Sequence, residues 1–326
     1  MICSRHRMLC VAAAMLFALS LPGMASAKTF PVRPVRIVLA LPPGGAPDII
    51  ARILGNKLTE QLAQQVIVDA RPGGSGVIAA EITKSALPDG YTLLLAGTTV
   101  FATLPALKPR LSYDPARDFI VLSRVASVAL VVAVQPSLGI GSVAELVKFA
   151  KGRPGQLNYG SSGNGSSSHL AGELFNVLAG VKTVHIPYKG TVLALNDVIA
   201  GQIQLIMMNP VVVLPHAKAG RVRIIATTGT KRDALLPELP TVAETVPGFE
   251  STLWWGIAAP AKTPAVIVQL LHSEIVKAMQ SPEVRERIAK QGAAPHADSP
   301  AEFTDFIRGE RERIVRVGRQ ANITLE

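Results

Sequence analysis

Two glycine-rich loops set the limits on what this chain can fold into. Leu41-Pro-Pro-Gly-Gly-Ala-Pro-Asp48 and Tyr159-Gly-Ser-Ser-Gly-Asn-Gly-Ser-Ser-Ser-His169 each follow an apolar, strand-like run and open an amphipathic, helix-like run. Such a junction aims free backbone N–H groups and the positive end of a helix dipole at one point, where an anion fits. Two of them, far apart in the chain, point to one anionic ligand held from two sides.

The segments around the loops alternate in the same way. Val35–Leu41 is a continuous β-type run, and Asp48–Leu62 carries Ile49, Ile53, Leu54, Leu58 and Leu62 at helical spacing. Strands at 66–69 and 91–96 with a helix at 79–85 complete a βαβαβ pattern, which argues for a mostly parallel sheet covered by helices. A second α/β set follows, with strands at 128–134, 157–159, 184–187, 203–208 and 223–227. Helices are expected at 265–279, 282–291 and 300–321. In such sheets ligands bind at the carboxyl ends of strands. Gly97-Thr98-Thr99, Tyr188-Lys189-Gly190 and Asn209-Pro210 all sit at such ends, as do both glycine loops.

The N-terminus reads as a secretory leader. A basic start, Met1–Arg7, precedes the apolar run Met8–Leu21, and Ala25-Ser26-Ala27 is a small-x-small cleavage site. Cleavage after Ala27 removes both cysteines, Cys3 and Cys10. That leaves no disulfide, thiolate metal site or cysteine nucleophile, as suits a large protein of the bacterial periplasm. The formal charge of +10 falls to +8 without Arg5 and Arg7. Basic residues are scattered apart from Arg308–Arg319, and aromatic residues are 5% of the chain, which disfavours nucleic acid.

The loops offer binding groups and few reactive ones. Pro42 and Pro43 stiffen the first loop, and Gly44 and Gly45 let a ligand touch the backbone. Asp48 either caps the following helix or reaches a bound water or a ligand amine. Residues 160–168 hold three glycines and five serines, enough hydroxyls and N–H groups to wrap a carboxylate. His169 reads as a packed histidine, Tyr188 as packing or as a donor to the cleft, and Trp254 and Trp255 as packing between domains. Asn164 breaks the nucleophile-elbow pattern, and no phosphate-loop lysine follows either loop. The histidines show no metal-ligand spacing, so no metal, cofactor or catalytic residue is expected. A hydrolase with Ser161 or Ser162 as nucleophile lacks a visible base.

Pro31-Val-Arg-Pro-Val-Arg36, Pro42-Pro-Gly-Gly45 with Asp48, Arg71-Pro72-Gly73 and Pro88-Asp-Gly-Tyr-Thr-Leu93 form one half of an ordered motif series. Leu157-Asn-Tyr-Gly-Ser-Ser-Gly163, His169-Leu-Ala-Gly-Glu-Leu-Phe175, His185-Ile-Pro-Tyr-Lys-Gly190 and Pro247-Gly-Phe249 continue it. With these motifs the chain, from about Phe30 onward, resembles the substrate-binding proteins of tripartite tricarboxylate transporters, the Bug family. The resemblance implies an α/β periplasmic-binding-protein type II fold: two α/β lobes, 28–127 plus 252–326 and 128–251, joined by two crossover segments at Val128–Gln135 and Trp255–Ala259. It implies a small organic carboxylate held by backbone amides, hydroxyls and waters, with contacts at Pro43, Gly44, Gly45, Thr98, Ser161, Ser162, Gly163, Ser166 and Ser167. Thr99, Asp48, Tyr188 and Asn209 join them as strand-end candidates. The implied protein is a periplasmic monomer that hands its ligand to an integral-membrane permease, or a sensor that passes its closed state to a signalling receptor. Asp69-Ala70-Arg71, Leu193-Ala-Leu-Asn196 and Met207-Met-Asn-Pro210 depart from the usual family pattern, which leaves the ligand's identity open.

Overall fold

The computed structural model describes residues 30–233, 236–323 and 325; the expected leader, 1–27, lies outside the described residues. The strands are β1 (Val35–Leu39), β2 (Val66–Ala70), β3 (Thr92–Gly97), β4 (Phe119–Ala129), β5 (Val131–Val134), β6 (Asn158–Ser161), β7 (Val184–Pro187), β8 (Leu205–Met208), β9 (Arg223–Thr227), β10 (Thr252–Pro260) and β11 (Ala294–Pro295). The helices are α1 (Ala46–Leu62), α2 (Val77–Lys84), α3 (Leu104–Leu107), α4 (Pro115–Asp118), α5 (Val143–Gly152), α6 (Ser167–Ala179), α7 (Thr191–Ala200), α8 (Pro210–Lys218), α9 (Ala265–Gln280), α10 (Pro282–Ala289) and α11 (Pro300–Gln320).

The strands form two sheets. The larger has the order β11-β4-β10-β3-β1-β2, and the smaller β7-β6-β8-β5-β9. β1 lies parallel to β2 and β3, and β6 parallel to β7 and β8, as the alternating pattern requires. The mostly parallel sheet expected is instead mixed, because β10 runs antiparallel to β3 and β4, and β5 antiparallel to β8 and β9. The antiparallel strands adjoin the points where the chain changes sheet. It passes from β4 to β5 through Leu130 alone, and returns between β9 and β10. Trp255–Ala259, expected to cross between sheets, lies wholly inside β10 of the larger one.

Both sheets are buried on two faces, so their central strands are apolar without alternation. Four of five residues in β1 and five of six in β3 are buried. α1 turns Ile50, Ile53, Leu54 and Leu58 onto the larger sheet, while Ile49 faces outward. Trp254 is fully buried, stacked on Phe101 at 6.2 Å and edge-on to Phe303 at 5.5 Å. Its Nε1–H donates to Glu310 Oε2 on α11. α11 then serves both halves: Phe303 and Ile314 join the larger sheet's core, and Val317 joins the core of the smaller one. Leu170 of α6 packs in the opposite sense, into the larger sheet's core.

Candidate functional site

The loops after β1, β2, β3, β6 and β8 line one cavity of about 670 Å³. Each carries the chain from a strand end into a helical segment, so five helical starts stand on its wall. They are Ala46 of α1, Gly76 before α2, Thr99 of a π-helical turn, Ser166 before α6 and Asn209 before α8. Each start of a long helix carries about half a positive elementary charge. Among the described residues none that lines it is Asp, Glu, Lys, Arg or His. The walls are therefore apolar surface punctuated by hydroxyls, amides and main-chain donors, a combination that stabilises an anion without a charged partner. A larger hollow of about 770 Å³, between α4, β4 and α11, has apolar walls, and Arg308, Arg311 and Arg316 stand on it. No glycine loop opens into it.

In the first loop Pro43, Gly44 and Gly45 are exposed beside the cavity, and Leu41, Pro42, Ala46 and Pro47 line it. The Gly44 N–H donates to Asp48 Oδ2 at 3.0 Å, and Arg52 Nε donates to the same oxygen at 3.2 Å. Burial pushes the Asp48 carboxyl up, but Arg52 and the Gly44 amide outweigh it and hold it below the usual carboxylate range. Asp48 thus ties down the loop and lines no part of the cavity. The N–H groups of Gly45 and Ala46 have no partner among the described residues.

The second loop is bonded to itself. Ser161 ends β6 with no exposed surface, and its Oγ accepts from the Gly163 N–H at 3.0 Å. The Ser162 N–H donates to Ser168 Oγ, the Ser166 N–H to the Gly163 carbonyl, and the Gly165 N–H to His169 Nδ1 at 3.0 Å. Ser166 caps α6 by accepting from the His169 N–H. Gly163 holds φ at +116°, a conformation that side chains rarely adopt. The hydroxyls of Ser162 and Ser167 and the N–H groups of Asn164 and Ser167 have no partner among the described residues.

Behind this loop lies a ring stack. His185 stands 3.9 Å from His169 and 5.1 Å from Tyr159, ring to ring. Tyr159 donates to Glu173 Oε1 at 2.5 Å. Burial pushes both histidines down to about 4, and the neighbouring His169 adds to the shift of His185. His185 Nε2 lies 2.6 Å from Ser161 Oγ, which supplies the base that sequence reading found missing. Ser161 is nonetheless no exposed nucleophile: its Oγ is buried and also bonded to both backbone groups of Gly163.

Of the residues expected at the site, Thr98, Thr99, Ser162, Ser166 and Asn209 line the cavity. Thr98 accepts the Trp254 N–H, and Asn209 Oδ1 accepts the Val211 N–H, which leaves the Asn209 amide N–H groups without a partner. Ser161, Gly163 and Ser167 stand behind or beside the wall. Tyr188 is turned away, donating its hydroxyl to Asp197 Oδ2 at 2.7 Å; burial and Asp197 push it up to about 12. Sequence reading missed Pro72, Gly73, Ser75 and Gly76, together with Asn164, Gly165, Leu253 and Leu325. Pro72-Gly-Gly-Ser-Gly76 was findable by the same rule as the other loops, since it follows β2 and opens α2.

Comparison with known proteins agrees with this layout. The family model described as the tripartite tricarboxylate transporter family receptor matches residues 50–323. The protein BugT of Bordetella pertussis is 34% identical over 322 residues, covering 98% of this chain and 99% of its own length. Among solved structures, R. palustris Rpa4515 with adipate is 35% identical, with a TM-score of 0.79 over 90% of this chain and 99% of its own. MatC from Rhodopseudomonas palustris with bound malate is 28% identical, with a TM-score of 0.74 over 88% and 99%. The architecture is thus the two-lobed periplasmic-binding-protein type II fold, and the chain belongs to the tripartite tricarboxylate transporter receptor family, with members of the Bug group among its relatives.

Proposed function

We propose that this protein is a periplasmic receptor that captures a small organic carboxylate in the cavity between its two sheets and delivers it to an integral-membrane permease. The observation that carries the reading is a cavity on which five helical segments begin and which, among the described residues, no charged side chain lines. A carboxylate accepts from such donors, whereas an ammonium group finds no carboxylate to pair with among the described lining residues. Adipate and malate in the two related structures support the ligand class. The lobes are 28–127 plus 252–326 and 128–251, and the ligand stabilises the form in which both meet it. Each hydrogen bond to the charged group contributes roughly 1.5–3 kcal/mol, so three or four suffice for micromolar affinity after association costs. The family consists of receptors, and the buried Ser161 favours no enzymatic alternative. Among the described residues no helix is long and apolar enough to cross a membrane.

The test is calorimetric titration with dicarboxylates, tricarboxylates, amino acids and aromatic acids. Micromolar binding of a carboxylate without an amine is expected. Binding confined to amino acids, or absent across the panel, contradicts the reading.

A further inference from the structure

One wall of the cavity comes from a part of the chain that no motif marks. After α11, Ile323 donates its N–H to the Gly318 carbonyl, and Leu325 donates its N–H to the Leu107 carbonyl at 3.1 Å. These two bonds lay the strap along α3. Ile323 and Leu325 pack against the core of the larger sheet. The side chain of Leu325 then reaches the other lobe's loop. A β-carbon built on Gly165 falls 2.6 Å from Leu325 Cδ2 and 2.7 Å from Cδ1. Leu325 thus occupies the place where any side chain at Gly165 would stand. It also lines the cavity, in company with Val100 and Leu104. Hydroxyls and unpaired N–H groups at Ala46, Thr99, Ser162, Asn164 and Asn209 line the same cavity.

We propose that Leu325 is a specificity-determining residue, the apolar stop against which the ligand's hydrocarbon portion packs, and that it sets the length of acid the cavity accepts. The inference rests on the carboxylate-receptor reading above. Its physical basis is simple. The Leu325 main chain is held by its bond to Leu107 whichever side chain it carries, and its isobutyl group meets the other lobe at Gly165. Removing its isobutyl group lengthens the cavity on that side; enlarging it shortens the cavity. A methylene buried against such a wall raises affinity about fourfold, the equivalent of ~0.8 kcal/mol.

The test measures affinity for unbranched α,ω-dicarboxylates from malonate to suberate by calorimetry, with wild type, Leu325→Ala and Leu325→Phe. Leu325→Ala should move the best ligand to an acid one or two methylenes longer, and Leu325→Phe to a shorter one, each with a change of at least fourfold in the affinity ratio of neighbouring acids. Circular dichroism identifies a variant that fails to fold, and the other variant then decides. An unchanged rank order in a folded variant overturns the role of Leu325 and leaves the receptor reading intact. Failure of wild type to bind any carboxylate overturns both.

Discussion

In the first glycine loop Pro43, Gly44 and Gly45 stand exposed, and a single amide, that of Gly44, is tied down. In the second, Ser161, Gly165, Ser168 and His169 are buried, and five consecutive N–H groups save that of Asn164 are bonded within the loop. Two strings rich in glycine thus do different physical work. The first is an open set of donors at the start of α1, with Asp48 as its one anchor. The second is a rigid wall, shaped in advance by its own hydrogen bonds and backed by Tyr159, His185 and His169. Binding to a pre-shaped wall avoids the cost of ordering it, whereas an open loop contributes donors at some cost in order. Composition alone does not tell the two apart; the difference lies in what stands behind each loop.

The largest expected effect breaks the rigid wall. Gly163→Val forces a branched side chain into φ +116°, and carboxylate affinity measured by calorimetry should fall by about 100-fold or more, ~2.7 kcal/mol. Gly45→Ala is the contrast: φ there is −84° and the new methyl meets only Pro47 Cδ at 3.6 Å, so affinity should change by less than about threefold. Equal losses in the two variants would erase the distinction between the loops.

Acid should attack the rigid wall through the histidines. His169 accepts the Gly165 N–H at Nδ1, which requires the neutral ring. Its folded value is depressed from 6.5 to about 4, so its contribution to stability is complete above about pH 6.5 and declines as pH falls from there to about 4. The full contribution is on the order of 3 kcal/mol for this buried ring. His185 acts in the same window, as does His296 in the other lobe. Thermal melts should therefore be flat above pH 6.5 and fall below it, and His169→Gln should flatten part of that slope. A melt independent of pH between 4 and 6.5 would show that the stack is not held neutral.

The anchor of the open loop should matter less. Asp48→Ala frees Gly44 and Arg52 and should lower stability by about 1–2 kcal/mol in denaturant titration, with affinity reduced by less than tenfold. Smaller still, Ser162→Ala removes an exposed, unpartnered hydroxyl and should weaken binding about three- to tenfold without moving the melting temperature. Tyr188→Phe, which loses the bond to Asp197, should cost about 1 kcal/mol of stability and leave affinity untouched. A larger effect of Tyr188→Phe on binding than of Ser162→Ala would place the ligand elsewhere.

Much of this was legible in the chain because strand ends and helix starts leave local signatures. β1, α1, β2 and β3 fall within two residues of the runs that periodicity marks, and the rule that ligands sit at strand carboxyl ends picks out the loops that carry Thr98, Thr99, Ser162, Ser166 and Asn209, of which Thr98, Ser162 and Ser166 were singled out by the family resemblance. What was not legible depends on contacts distant in sequence. His185 meets Ser161 only because β6 and β7 pair in parallel with Tyr159 opposite His185. The helical stretch from Thr99 to Leu107 hides behind Pro105 and three β-branched residues, Thr99, Val100 and Thr103, which read as non-helical. α8 is similarly masked by Pro215. Asp48, expected to cap the helix or to meet the ligand, does neither: α1 starts at Ala46 with Gly45 as its cap, and the Asp48 carboxylate instead holds the Gly44 N–H and Arg52 one turn later.

The central claim is that main-chain amides and hydroxyls, with no charged side chain, hold the acid. A crystal structure of the full chain grown with adipate tests it directly. The account predicts a carboxylate within about 3.2 Å of the Ala46 or Gly45 N–H and of the Ser162 or Ser167 groups, with no arginine or lysine in contact. An acid seated against Arg308, Arg311 and Arg316 in the other hollow, or paired with any basic side chain in the cavity, would contradict it.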